Sequence, residues 1–210
     1  MMKQFAKLGL ILAIFAAVAC VGLSFVYAAT KDPIEANKTR QVNESLKDLF
    51  ADADEFVPTD VLSADPSITF QTAYQARKNG VLLGLAVKAA GSSYGGQSVL
   101  LVGTGLDRRI VGVRVLENKD TPGLGANAKN ASYFVDKANR ITFPGQFAGK
   151  VVTDAFEVKK DVIPITASTI TSKALTRIVK AAGDAAAAWI ENAAMLAPET
   201  APETAPEGGN

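Results

Sequence analysis

Histidine is absent from this 210-residue chain, and cysteine occurs once, as Cys20 inside an apolar N-terminal run. Without imidazole, and with no thiol outside that run, haem, iron–sulfur and zinc sites lose their usual ligands. Ser-His and Cys-His nucleophilic catalysis fall on the same ground, and an intrachain disulfide needs a second cysteine. Neither sign of charge is in excess: 22 Lys and Arg against 21 Asp and Glu leave a net charge of +1. Nothing in that balance points to nucleic acid. No Gly-x-Gly-x-x-Gly follows a strand-like run, so a dinucleotide-binding unit is not indicated. Electron transfer by such a chain would have to use an organic cofactor.

One long apolar stretch is present. Residues 8–29 carry no charge, and at about 1.5 Å per residue they would span about 33 Å, enough for a bilayer core of about 30 Å. Lys3 and Lys7 precede the stretch, which favours an N-terminus on the cytoplasmic side. The expectation is an uncleaved, single-pass anchor over 1–30. A cleaved signal peptide is the rival, although its apolar region is usually shorter. Ala17-Val18-Ala19-Cys20 loosely resembles a lipoprotein cleavage site.

Beyond the anchor, Ile34, Val42, Leu46, Leu49 and Phe50 recur at helical spacing among charged residues, predicting a stalk helix that ends near Ala51. Residues 52–66 are acidic and contain Pro58 and Pro66, so 31–66 reads as stalk plus loop linker. A domain over 67–196 follows. Four strand-like runs start near Ile68, Val81, Val99 and Ile110, and the short Thr104-Gly105-Leu106-Asp107 connection requires antiparallel pairing. A short helix is expected over 127–139 and a returning strand over 151–158. A long amphipathic helix is expected from about Ser172 to Leu196, with Leu175, Ile178, Val179, Ala182, Ala186, Trp189, Ile190 and Ala193 on its apolar face. Trp189 lies about 30 Å along that helix from Thr169, so it reads as a core anchor. The tail over 197–210 repeats Ala-Pro-Glu-Thr and is expected to be disordered. The fold class is therefore α+β: an N-terminal transmembrane helix, then an antiparallel sheet with flanking helices.

Thr166-Ala167-Ser168-Thr169-Ile170-Thr171-Ser172 stands immediately before the last helix. Unpaired N–H groups and the positive dipole end of a helix suit a phosphate, and the hydroxyls would bond it or be esterified by it. The plainer alternative is an N-cap, for which Ser and Thr are favoured anyway. Two further segments accompany it: Asp120-Thr121-Pro122-Gly123-Leu124-Gly125-Ala126 and Ser93-Tyr94-Gly95-Gly96.

In this order and spacing, behind one apolar anchor, the three segments resemble the FMN-binding family. The likeness is to the G subunit of Rnf electron-transport complexes, related to the C subunit of the sodium-pumping NADH:quinone oxidoreductase. In that family a Thr in a Ser/Thr-Gly-Ala-Thr-x-Thr-Ser motif carries FMN through a phosphoester, and Thr169 occupies the matching position. Ala167-Ser168 stands where Gly-Ala is usual, Ile163 where an Asp is usual, and Asp120 where Glu is commoner. Ser168 and Thr166 are the competing acceptors.

The resemblance implies a covalent FMN at Thr169, with Thr166, Ala167, Ser168, Thr171 and Ser172 around its phosphate. Thr121, Pro122, Gly123, Leu124 and Gly125 would line one side of its ring, the glycines allowing close approach of backbone. Tyr94, Gly95 and Gly96 would form the opposite wall. It further implies an electron-carrying subunit, not a catalyst alone, within an ion-translocating ferredoxin:NAD oxidoreductase. Its partners would be the other Rnf subunits, with a flavin transferase for maturation. The flavin domain would lie outside the cytoplasm, on the plasma or inner membrane. The alternatives are non-covalent FMN on the same fold, or an anchored, non-redox binding module.

Overall fold

The computed structural model describes residues 2–196; the Pro/Glu-rich tail over 197–210 lies outside them. The first helix, α1 (Met2–Leu49), runs without interruption through Pro33 and across the 30/31 boundary at which the sequence suggests a change from anchor to stalk. Among the described residues one segment, Gln4–Leu49, is long and apolar enough to cross a membrane. The chain divides into two compact units, one ending at Glu44 and the other starting at Ser45. In the first unit the apolar side chains of α1 are exposed along the run, Leu12, Phe15 and Phe25 among them. A helix that is apolar on all sides and unburied by its own chain suits lipid rather than water.

The second unit is built on one antiparallel sheet in the order β1 (Glu55–Thr59), β2 (Ile68–Lys78), β3 (Val81–Ser93), β4 (Gly96–Gly105), β5 (Ile110–Glu117). Sequence neighbours are sheet neighbours throughout, because each connection is short. The β2–β3 link is Asn79-Gly80, both at positive φ (49° and 80°), the combination a tight hairpin demands. β1 falls inside the stretch expected to be loop. Pro58 does not prevent it from pairing, since β1 is an edge strand with one side of its ladder open.

Both faces of the sheet are covered. On one, Leu85, Val87, Leu100, Val102, Val113 and Val115 meet Leu175, Ile178, Val179, Ala182, Ala186 and Ile190 of α2 (Thr169–Leu196). Trp189 is half-buried against the same core, as its place on the apolar face predicts. On the other, Leu49 and Phe50 lie over a floor of glycines. A Cβ on Gly84 would lie 2.8 Å from Phe50 Cε1 and closer still to the Thr104 carbonyl. Arg114 and Asp48 pair at 3.6 Å beside this contact.

Two expected elements are replaced. The predicted helix over 127–139 is instead a 3-10 turn (Gly125–Lys129) followed by β6 (Phe134–Asp136) paired with β7 (Ile141–Thr142). Tyr133, Phe134 and Val135 are consecutive and cannot share one helical face, and Asp136 Oδ1 accepts the N–H groups of Ala138 and Asn139 to make a turn. The predicted strand over 151–158 reduces to the isolated bridges Arg109↔Val151 and Val158↔Val162. There Asp154 and Asp161 accept backbone N–H groups that a ladder would use, and Phe156 and Lys159 have positive φ. Phe143, Phe147 and Phe156 pack edge-to-face and stacked beneath this loop, with ring centroids 5.6 and 5.9 Å apart.

The glycine floor generates a test. Gly84→Ala should destabilise the domain by about 1–3 kcal/mol, the usual range for overpacking, lowering the thermal midpoint followed by circular dichroism in detergent.

Candidate functional site

The three hydroxyl- and glycine-rich segments are far apart in sequence and meet at one end of the sheet. Ser93-Tyr94-Gly95-Gly96 is the tip of the β3–β4 hairpin, where Ser93 and Gly96 are register partners. The 120–125 segment follows β5. The hydroxyl-rich run enters α2, which starts at Thr169, three residues earlier than expected. Between them lies a cavity of about 620 Å³, lined by Tyr94, Asp120, Thr121, Leu124, Gly125, Ala167, Ser168, Thr169, Ile170 and Thr171. That volume is in the range of small-molecule and cofactor sites.

Each wall follows from local chemistry. Thr121-Pro122-Gly123-Leu124 closes on itself through Leu124 N–H to Thr121 C=O at 3.1 Å. Pro122 and Gly123 occupy the two central positions, and Gly123 has φ of 77°, matching a type II turn. The turn leaves Leu124 partly exposed at the cavity. At α2, the first helical bond runs from Ser172 N–H to Ser168 C=O at 2.9 Å. The N–H groups of Thr169, Ile170 and Thr171 precede that bond and have no partner within the helix, and all three residues line the cavity. Ala167 has φ of 56°, a backbone shape glycine adopts without cost.

The approach to α2 is fixed from behind. Ser172 is fully buried; its Oγ donates to Ser168 C=O and accepts from Ile165 N–H, both at 2.9 Å. Gln146 bonds both the N–H and the C=O of Ile163, at 2.7 and 3.1 Å. Tyr133 Oη accepts from Thr166 N–H at 3.2 Å. Of the residues expected at the site, the cavity gathers Tyr94, Thr121, Leu124, Gly125, Ala167, Ser168, Thr169 and Thr171. Pro122, Gly123, Gly95, Gly96, Thr166 and Ser172 are not among its lining residues. Ser172 has its O–H committed within the turn, so it braces the loop instead of facing the cavity.

The sequence marks Asp120 only as the first residue of its motif, and the structure puts it at the junction. It is only 4% exposed. Its Oδ1 accepts from Ser93 Oγ at 2.8 Å and from the Gly95 N–H, while its own N–H donates to Asn118 Oδ1 at 2.8 Å. Gly95 and Gly125 let this happen. A Cβ on Gly95 would sit 2.7 Å from Asp120 Cα, and one on Gly125 would sit 2.5 Å from Thr171 Oγ1 and 2.8 Å from Asp120 Oδ2. The missing Cβ of Gly125 therefore makes room for Asp120 and Thr171. Burial pushes the Asp120 carboxyl up, but the Gly95 N–H and the Ser93, Thr171 and Asn118 side chains outweigh it and hold the group below the ordinary aspartate range.

Residues 93–184 match the family described as FMN-binding domain, and residues 1–49 match the RnfG N-terminal region. The first span contains all three walls of the cavity; the second coincides with α1. The G subunit of the proton-translocating ferredoxin:NAD(+) oxidoreductase complex of Clostridium ljungdahlii is 33% identical over 167 residues, covering 76% of this chain and 80% of that protein. The G subunit of the ion-translocating oxidoreductase complex of Vibrio atlanticus is 32% identical, covering 87% and 90%. That of the Na(+)-translocating ferredoxin:NAD(+) oxidoreductase complex of Acetobacterium woodii is 30% identical, covering 81% and 86%. The chain belongs to the RnfG family. It carries that family's FMN-binding domain and is membrane-anchored through α1.

Two outcomes follow for stability. Ala167→Gly should stabilise the domain by about 0.5–1 kcal/mol, since a left-handed alanine costs more than glycine's extra chain entropy; urea unfolding in detergent measures it. Asp120 has a depressed native pKa, so its contribution is complete at neutral pH and is lost as pH falls through that value. The difference in urea midpoint between the parent and Asp120→Asn should be largest near about pH 7 and shrink towards about pH 3.

Proposed function

We propose that this chain is a membrane-anchored electron carrier holding FMN by a phosphoester to Thr169, within an ion-translocating ferredoxin:NAD oxidoreductase. The observation that carries this is the convergence of the three motif segments on one cavity at the start of α2, with Thr169 at its wall. The residues present fit the cofactor. Thr169 is half-buried and offers its alcohol from the first residue of α2, beside three N–H donors that the helix leaves without an internal partner. Those donors and the dipole favour a phosphate dianion or its ester there. Ser168, Thr171 and the Ala167 backbone border the same space, while Leu124 and Tyr94 supply apolar surface for a planar ring. When bound, FMN would accept and release electrons; the protein orients it and prevents its loss.

Ala167, standing where the family's motif has Gly, holds a left-handed backbone conformation with φ of 56° that glycine adopts without cost. That supports Thr169 as acceptor despite the altered Ala167-Ser168 pair. Covalent attachment suits a domain outside the cytoplasm, where a lost cofactor is not easily replaced. The cytoplasmic N-terminus rests on Lys3 and Lys7 before the apolar run, and it assigns the flavin domain to the opposite side of the membrane. The other subunits of the complex would supply ferredoxin, NAD and ion sites, and a flavin transferase would complete the chain. The relatives' names support membership of such a complex.

Intact-mass spectrometry of the chain co-expressed with a flavin transferase tests the attachment. The expected result is one FMN adduct in the parent and in Ser168→Ala, and none in Thr169→Val. An adduct that persists in Thr169→Val moves the ester to Ser168 or Thr166. A yellow protein that loses its flavin on denaturation shows non-covalent binding instead.

A further inference from the structure

Asp120 is the buried acid of the cavity, and only half of its carboxylate is used. Oδ1 takes the Ser93 hydroxyl and the Gly95 N–H. Among the described residues Oδ2 has no hydrogen-bond partner although it is buried, and the same holds for the amide nitrogen of Asn118. Thr171 Oγ1 is a neighbour: both atoms crowd the position a Gly125 Cβ would take, at 2.5 and 2.8 Å. It is near enough to favour the ionised carboxylate, yet the two do not meet in hydrogen-bond geometry. A buried carboxylate oxygen without a donor is costly, and Asp120 is among the lining residues of the cavity. The carboxylate therefore has acceptor capacity left over at the cavity.

We propose that Asp120 Oδ2 is the acceptor for a ribityl hydroxyl of the bound flavin. This rests on the flavin reading of the cavity and adds a residue to it. An ionised carboxylate accepts and does not donate, and it repels phosphate oxygens and ring carbonyls. Its partner must be an O–H or N–H group. The choice between the ribityl chain and the ring N–H follows from placement. Oδ2 adjoins Thr171, two residues from Thr169, so it stands near the phosphate end of a flavin tethered there. The ribityl hydroxyls are the donors next to the phosphate, whereas the ring N–H lies at the far end of the molecule. Asp120 is thus a binding residue through Oδ2 and a brace through Oδ1.

Asp120→Asn separates the two roles. The amide oxygen can still accept from Ser93 and Gly95, while an NH₂ donor replaces the free oxygen. The full-length chain, purified in detergent from a host without a flavin transferase, is titrated by fluorescence with FMN, riboflavin and lumiflavin. Riboflavin has the ribityl hydroxyls without the phosphate, so loss of the Asp120 charge does not confuse the comparison; lumiflavin has the ring alone. In Asp120→Asn, riboflavin affinity should fall at least about tenfold and lumiflavin affinity should change by less than about twofold, as for loss of one charge-assisted hydrogen bond. Unchanged riboflavin binding in Asp120→Asn overturns the proposal. An equal loss of riboflavin and lumiflavin also overturns it, assigning Asp120 to the ring or to the fold of the pocket. Failure of the parent chain both to bind FMN in the titration and to gain an FMN adduct with a flavin transferase refutes the flavin reading itself, a result distinct from both.

Discussion

The buried carboxylate of Asp120 holds the cavity together. It is nearly inaccessible to water, it bonds the tip of the β3–β4 hairpin through Ser93 and Gly95, and it abuts Thr171 in the first turn of α2. Three segments that approach from different parts of the chain are brought into register by this one group. A buried charge is tolerated only when donors surround it, and here the donors are the walls of the site. Construction of the pocket and satisfaction of the charge are the same event. Gly95 and Gly125 belong to this arrangement because a Cβ at either would collide with Asp120 or its neighbours.

The rest of the domain presents that junction. The antiparallel sheet carries the hairpin tip and the 120–125 segment at one end. α2 crosses the sheet with its apolar face buried and its N-terminus at the same end. Behind the hydroxyl-rich run, Ser172, Gln146 and Tyr133 fix the chain by bonds to its backbone. The helix start is thereby held open towards the cavity, with its first N–H groups at the wall. On the opposite face of the sheet, Leu49 and Phe50 close the second unit by packing over a glycine floor.

Much of this was legible in the residues. The charge-free run announced a spanning helix, the alternating apolar runs announced β2 to β5, and the 3.6-residue pattern announced α2 with Trp189 at its core face. Where expectation and structure part, a short-range polar interaction has overruled an apolar pattern. Asp136, Asp154 and Asp161 capture backbone N–H groups and turn the chain where a helix and a strand were expected. β1 escaped notice because Pro58 reads as a breaker, yet an edge strand accommodates it. In the candidate site, the hydroxyls and glycines were visible as motifs. Their division into cavity wall and hidden brace was not, since Ser172 and Thr171 differ by only one position along a helix.

The class of this protein is written in its residues in one dimension: an apolar anchor, an α+β domain, no histidine and a single cysteine, and three segments in the order of a flavin-binding family. Those features are local or compositional, so no folding is needed to read them. That the three segments share a cavity, that the helix begins at Thr169, and that Asp120 ties them together with one oxygen to spare emerge in three dimensions alone. These are properties of distance between residues remote in the chain, and they follow from how the hairpin, the loop and the helix close-pack around a single buried charge.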